Sequence, residues 1–380
     1  MKPSAAILEA MAGAHTDTLD NAASAGAVGE QETLASEYRV LVEGCGMLDR
    51  SERGKLALSG PDAVEFLNGQ VTNELLSLRP GDGCYAAFLT HKGKMLGDLR
   101  ILAVDAEDAP GVDDLAGAHD PAAVSGLLLD TERVALQSLF DMIRRFKVGY
   151  QVELDKRTLE RGLLSLIGPG CTAVAGLESI AGVESISAAV QVETAQLSNV
   201  EHAHVRVEID GVTALAVRTD VGVDLLCDAA DTGALSAALR ARGATAVSEA
   251  AVECLRIERG RPRYGTDLDD SVIPQEAGLN ERAVSFTKGC YVGQETVARL
   301  HYKGRPNRHL RGLRLSRPAA SGEPLLLGER AVGYVGSVAV SPTLGPIALA
   351  LVRREAEPGA TLGIGDDRAS ASVVELPFAG

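Results

Sequence analysis

Apolar and polar residues alternate over 55–59 (KLALS), which predicts a half-buried strand stopped by the Gly60-Pro61 turn. Residues 62–67 (DAVEFL) then take helical spacing, with Asp62 placed to cap the helix start. Segments 85–89 and 95–104 predict a pair of strands joined by the tight, positive turn Thr90-His-Lys-Gly-Lys94. An amphipathic helix is predicted over 131–147, with Val134, Leu139, Phe140, Ile143 and Phe146 on one side. Further strands follow over 205–227, broken at Asp210-Gly211 and near Gly222, and then helices over 232–242 and 247–258. From Leu310 onward the pattern turns to short β runs at 310–315, 331–340, 347–352 and 370–376, punctuated by Gly and Pro. That predicts a small antiparallel barrel or sandwich.

One pattern occurs twice. Arg53-Gly54-x-Leu56-x-Leu58-x-Gly60-Pro61 returns 108 residues later as Arg161-Gly162-x-Leu164-x-Leu166-x-Gly168-Pro169, with six of nine positions matching. Each copy reads as a strand closed by a Gly-Pro turn, so the chain is expected to hold two similar α+β units packed together. Ligands often lie where such units meet. Residues 1–35, rich in Ala, Gly, Ser, Thr and acid, read as a mobile arm, and 105–121 as an exposed acidic loop. The expected division is therefore an arm over 1–35, a duplicated and possibly discontinuous α+β region over 36–300, and a β domain over 301–380.

Composition narrows the function. The 380 residues carry a formal net charge of −15, with 46% hydrophobic residues and only 3% aromatic, without Trp. An acidic body repels phosphate backbones, and bases find few stacking platforms, so direct nucleic-acid binding is not expected. Charge is uneven, however. Six Arg and one Lys lie between Arg299 and Arg317 without an acid among them, a surface that suits an anionic ligand or a solvated strand edge equally. The six cysteines (45, 84, 171, 227, 254 and 290) form no CxxC pair, which argues against a disulfide scaffold or a closed metal site. His202 and His204 read as a polar surface pair rather than metal ligands. The N-terminal segment lacks signal-peptide character, and no run reaches the roughly 18–20 apolar residues that span a membrane. A cytoplasmic protein is expected.

The densest chemistry lies in 255–300. Lys288-Gly289-Cys290-Tyr291-Val292-Gly293-Gln294-Glu295 resembles the signature of YgfZ-type folate-binding proteins, and Arg256-x-Glu258-x-Gly260-x-Pro262-x-Tyr264-Gly265-x-Asp267 resembles a segment that these share with the glycine-cleavage T-protein. Upstream, Phe66 to Asn73 and Gly93 to Leu99 fit the same superfamily, so the resemblance covers about 38–376. It implies a ring of three domains around a central channel, two of them α+β and the last an antiparallel β-barrel. It also implies tetrahydrofolate, or a one-carbon derivative, in the channel.

By resemblance, Asp98 and Glu258 contact the pterin, and Arg256, Tyr264 and Arg299 belong to the folate-binding set. A buried carboxylate suits an aminopyrimidine because it accepts two donors at once. The bland alternatives are a strand-edge carboxylate for Asp98 and a salt bridge to Arg256 or Arg259 for Glu258. Cys290, with Lys288 nearby and a helix about to begin, is the candidate reactive thiol, since both features favour a thiolate. The alternative is an inert core cysteine. Gly289 and Gly293 would allow close approach or positive φ, while Tyr291, Gln294 and Glu295 complete the motif.

The resemblance implies a folate-binding accessory factor for iron–sulfur cluster assembly or repair, with iron–sulfur client proteins as partners and tRNA modification affected only through them. Two alternatives stand beside it. One is an aminomethyltransferase moving a one-carbon unit to tetrahydrofolate. That class carries a G-E-x-G-[FY]-E stretch where this chain has Thr219-Asp-Val-Gly-Val-Asp224. The other is a folate-sensing scaffold without chemistry.

Overall fold

The computed structural model describes residues 29, 31–105, 108, 123–180, 195–365 and 369–378. Residues 31–43 form a helix, α1, so the last five positions assigned to the arm are helical; nearly all of the rest of the arm, and most of the 105–121 segment, lie outside the described residues. Strand β1 (Gly46–Asp49) follows.

The first unit comprises β2 (Gly54–Ser59), α2 (Ala63–Asn68), β3 (Gly83–Leu89), β4 (Met95–Val104), β5 (Gly126–Thr131), α3 (Leu136–Phe146) and β6 (Glu153–Lys156). Its antiparallel sheet runs β3-β4-β5-β2-β6. Asp62 precedes α2, but its side chain makes no cap and instead accepts from the Gln151 amide at 2.7 Å. Helix α3 starts later than its periodicity predicts because Thr131 closes β5. Leu136, Leu139, Met142 and Ile143 form its buried stripe, while Val134 and Phe146 are exposed. Burying each of those side chains stabilises by roughly 1.5–3 kcal/mol.

The second unit repeats this plan with β7 (Arg161–Ile167), α4 (Cys171–Val174), β8 (Leu177–Ile180), β9 (Ala195–Ser198), β10 (His204–Ile209), β11 (Val212–Arg218), β12 (Gly222–Asp228), α5 (Thr232–Ala241), β13 (Thr245–Ala246) and α6 (Glu249–Glu258). Its sheet order is β10-β11-β12-β7-β1-β13. The first five strands match the first sheet position for position, and β1, from before the first unit, fills the place that β6 holds there. The sequence echo falls on β2 and β7. After them Gly60 and Gly168 take φ of 106° and 118°, and a side chain on either would run into backbone carbonyl oxygen, Gln151 at 2.3 Å and Gly44 at 2.5 Å. Only glycine turns the chain there.

The units pack through Leu102 and Val104 of β4 against Leu163, Leu215, Val217 and Leu226. Helices α7 (Asn280–Ala283) and α8 (Gln294–Lys303) lead to a closed barrel of β14 (Arg308–Leu315), β15 (Pro324–Leu327), β16 (Arg330–Ser341), β17 (Gly345–Arg353), β18 (Thr361–Ile364) and β19 (Ala369–Val374). Ile257 of α6 packs on Leu310, Ile347, Leu349 and Phe378, which docks the barrel on the second unit. Among the described residues no helix is long and apolar enough to cross a membrane.

Candidate functional site

A cavity of about 210 Å³ lies between the units, lined by Tyr85, Asp98, Arg100 and Asp130 from the first and by Ser165, Glu201, His202 and Asp224 from the second. Strand β4 explains the first wall. Its sequence MLGDLRILAV is apolar except for Asp98 and Arg100, two apart and so on one face of the sheet. Asp98 is 6% exposed and accepts from the Tyr85 hydroxyl at 2.7 Å. Burial pushes its carboxyl up to about 6; the Tyr85 hydrogen bond and Arg53 oppose this, while Glu132 adds to it.

Next to it, Asp130 is gripped from two sides. Arg53 Nε donates to it at 2.8 Å, and Arg100 Nη2 lies 2.9 Å away. Burial alone would raise this carboxyl, but the two guanidinium groups outweigh burial and hold it below the usual range. Arg100 also reaches Asp224 of the second unit at 2.7 Å, an ion pair that ties the units across the cavity. A second, larger cavity of about 360 Å³ shares Asp130 in its lining, and its Arg157, Arg161 and Arg206 are already paired with nearby carboxylates. The 210 Å³ cavity has the better chemistry, because Asp98 faces it with no cation bound to it among the described residues.

The other expected residues divide between this cavity and elsewhere. Arg256 lines it, but its guanidinium is engaged by Glu253 at 2.7 Å, Asp267 at 2.9 Å and Ser337, so it pins α6 to the barrel. Tyr264 is half-buried and packs at the seam between the first unit's core and the 268–300 segment, off the cavity lining. Burial is the main cause that pushes its hydroxyl up, with smaller contributions from Asp270, Asp269 and Asp98. Glu258 sits apart from these residues. It does not line the cavity; it accepts from Tyr38 at 2.6 Å and from Ser341, and so joins α1, α6 and the barrel. The alternative of a salt bridge to Arg256 or Arg259 does not describe these partners. Arg299 is exposed on α8, and Arg308 of the same basic run is bound to Glu276 at 2.9 Å.

The 288–295 motif builds a pinned loop. Lys288 is buried, and its Nζ donates to the carbonyls of Asn68, Val71 and Asn73 at 2.6, 2.9 and 2.6 Å. Burial pushes its ammonium down to about 8. Tyr291 is buried in the core beneath the loop. Gly293 takes φ 86°, and a side chain there would meet the Thr90 carbonyl at 2.6 Å. Between these anchors Gly289 and Cys290 are exposed. The Gln294 side-chain amide donates to the Gly289 carbonyl at 3.4 Å, and Glu295 points outward. Lys288 therefore faces inward rather than toward the thiol, and Cys290 is not part of the cavity lining. The loop still connects to the cavity: the Asn73 carbonyl that binds Lys288 belongs to the residue whose side chain donates to the Tyr85 carbonyl at 2.9 Å.

His202 and His204 are buried, contrary to the surface reading. His204 Nε2 lies 3.0 Å from the Ala103 carbonyl, across the unit interface, while His202 lines the cavity. Among the described residues no group of three or more His, Cys, Asp or Glu is arranged to hold a metal.

Two α+β units of one topology enclosing a polar cavity, with a closed barrel docked on the second, define the class of protein. Residues 27–288 match the GCVT N-terminal domain and 308–379 the glycine cleavage T-protein C-terminal barrel domain. The chain belongs to the glycine cleavage T-protein family. It is 30% identical over 362 residues to an aminomethyltransferase of Saccharopolyspora erythraea, covering 90% of this chain and 89% of the relative. An aminomethyltransferase of Streptomyces avermitilis is 30% identical over 362 residues, covering 90% of this chain and 88% of the relative. The crystal structure of the glycine cleavage system aminomethyltransferase T from Bartonella henselae has the same fold, with a TM-score of 0.71 at 23% identity, covering 91% of this chain and 89% of that one.

Proposed function

We propose that the protein binds a tetrahydrofolate-class pterin in the interunit cavity and serves as an accessory factor for iron–sulfur proteins, presenting Cys290 to them. The pterin assignment is supported by the chemistry of Asp98. Its carboxylate is buried, faces the cavity and is bound by one hydroxyl, which leaves acceptor capacity for the donors of an aminopyrimidine edge. The cavity volume falls below the roughly 300–1,000 Å³ of pockets that enclose a drug-sized ligand, so it suits one ring system with the rest of the molecule extending outward.

One observation carries the accessory role. Cys290 is exposed on a loop anchored on either side by buried Lys288 and Tyr291, an arrangement that offers a thiol to a partner rather than to the ligand in the cavity. Cys290→Ser should bind tetrahydrofolate within about threefold of wild type, a change too small to mark a contact. It should nonetheless fail to restore cluster-enzyme activity to a strain lacking the gene; full restoration would remove the thiol from the function.

The aminomethyltransferase reading is favoured by the names of the relatives. Formation of methylene-tetrahydrofolate and ammonia from an aminomethyl-lipoyl carrier would establish it in place of the accessory role.

A further inference from the structure

We propose that His202 contacts the ligand in the interunit cavity and supplies the hydrogen-bond partner for a neutral polar edge of it; the inference rests on the folate reading above and adds a contact to it. His202 is 8% exposed and faces the cavity from the second unit. Neither Nδ1 nor Nε2 has a hydrogen-bond partner among the described residues. Glu201 Oε1 stands 3.7 Å from Nε2, beyond hydrogen-bond reach, and is bound to Arg282. Buried polar groups are nearly always paired in folded proteins, so an imidazole left dry on both sides marks a place for something else to bind.

The backbone points the same way. His202 takes φ 73°, a left-handed conformation uncommon outside glycine. The second unit holds it there. Its amide donates to the Arg218 carbonyl at 2.9 Å, and its carbonyl lies 3.3 Å from His204 Nδ1. On the facing strand a Cβ at Gly83 would come within 2.6 Å of the His202 carbonyl oxygen, so glycine there lets the units close on this residue. Strained residues of this kind persist where their surroundings over-determine them, and they collect at ligand sites.

The ring's chemistry identifies what it would take. Burial, with Arg100 and Arg282 adding to it, pushes the imidazole down to about 3, so it is neutral at physiological pH. A neutral imidazole offers one donor and one acceptor, which suits an amide-like edge; a carboxylate would be better served by arginine. Tyr85 joins the two sites: its ring lies 6.3 Å from the His202 ring at 28°, and its hydroxyl donates to Asp98 at 2.7 Å. Asp98 and His202 thus flank one aromatic wall, an arrangement for a planar heterocycle with donors on one edge and mixed groups on another.

Two variants and one spectrum test this. His202→Asn retains a donor and an acceptor and tolerates the left-handed backbone, whereas His202→Phe retains a ring without nitrogen. In calorimetric titrations with tetrahydrofolate, the Phe variant should bind at least about tenfold more weakly and the Asn variant within about threefold of wild type. In wild-type protein carrying ¹⁵N-histidine, the resonances of the residue missing from the Asn variant should move on adding tetrahydrofolate. Wild-type binding with those resonances unmoved and the Phe variant unaffected overturns the role of His202 and leaves the folate reading standing. Absence of wild-type binding overturns both.

Discussion

Replacing Asp98 by Asn should stabilise the folded protein while weakening its affinity for the pterin. The carboxyl sits at about 6 in the fold against the ordinary aspartate value of 3.8, chiefly because burial penalises its charge. The folded state therefore holds the proton more tightly than the unfolded chain. Stability linked to this group is fully present below the unfolded value and is lost as pH rises through 6. That rise above 3.8 amounts to roughly 3 kcal/mol of destabilisation at pH 7.5, of which about 2 kcal/mol disappears by pH 4.5. Asn keeps an oxygen that accepts from Tyr85 and carries no charge to bury. Thermal melts should therefore place Asp98→Asn above wild type at pH 7.5, with the gap narrowing sharply toward pH 4.5. Tetrahydrofolate affinity should fall by roughly ten- to 150-fold, the loss of one charge-assisted hydrogen bond. Wild-type affinity should also weaken below pH 6 as the carboxylate is protonated, by up to about tenfold per unit, while the variant stays flat. A variant that melts below wild type at both pH values, or binds the ligand equally well, would refute the reasoning.

Lys288→Met should destabilise the protein by roughly 2–4 kcal/mol, because three carbonyls lose a charged donor, and should open the 285–293 loop to proteolysis. A melting point and digestion pattern like those of wild type would show that the ammonium does not hold the loop. Glu258→Ala should lower the melting temperature through loss of the Tyr38 and Ser341 hydrogen bonds while leaving tetrahydrofolate affinity within about threefold. A large affinity loss at unchanged stability would return Glu258 to the ligand site.

Much of the fold was legible because it is written in local period and repeated turns. Two strands of alternating Leu, each closed by Gly-Pro, were enough to expose the duplication; the sheets then share one strand order around them. Two of the barrel's strands, β15 and β18, escaped notice. Each is four residues long, too short for a period to declare itself. Part of the site was also readable: Asp98 and Arg100 interrupt an otherwise apolar strand at a spacing that puts both on one face.

What could not be read depends on partners far apart in the chain. Lys288 reaches a carbonyl 220 residues away, and Tyr38 reaches Glu258 across the same separation. Neither pairing leaves a trace in spacing. The inward placement of Lys288 changes how the thiol is understood. With the ammonium turned inward onto carbonyls, the motif's charge holds the loop in shape and does not serve the sulfur directly. Cys290 and Asp98 then occupy separate places, joined through Asn73 and Tyr85. That short chain of hydrogen-bonded residues, rather than a shared pocket, links the loop to the cavity.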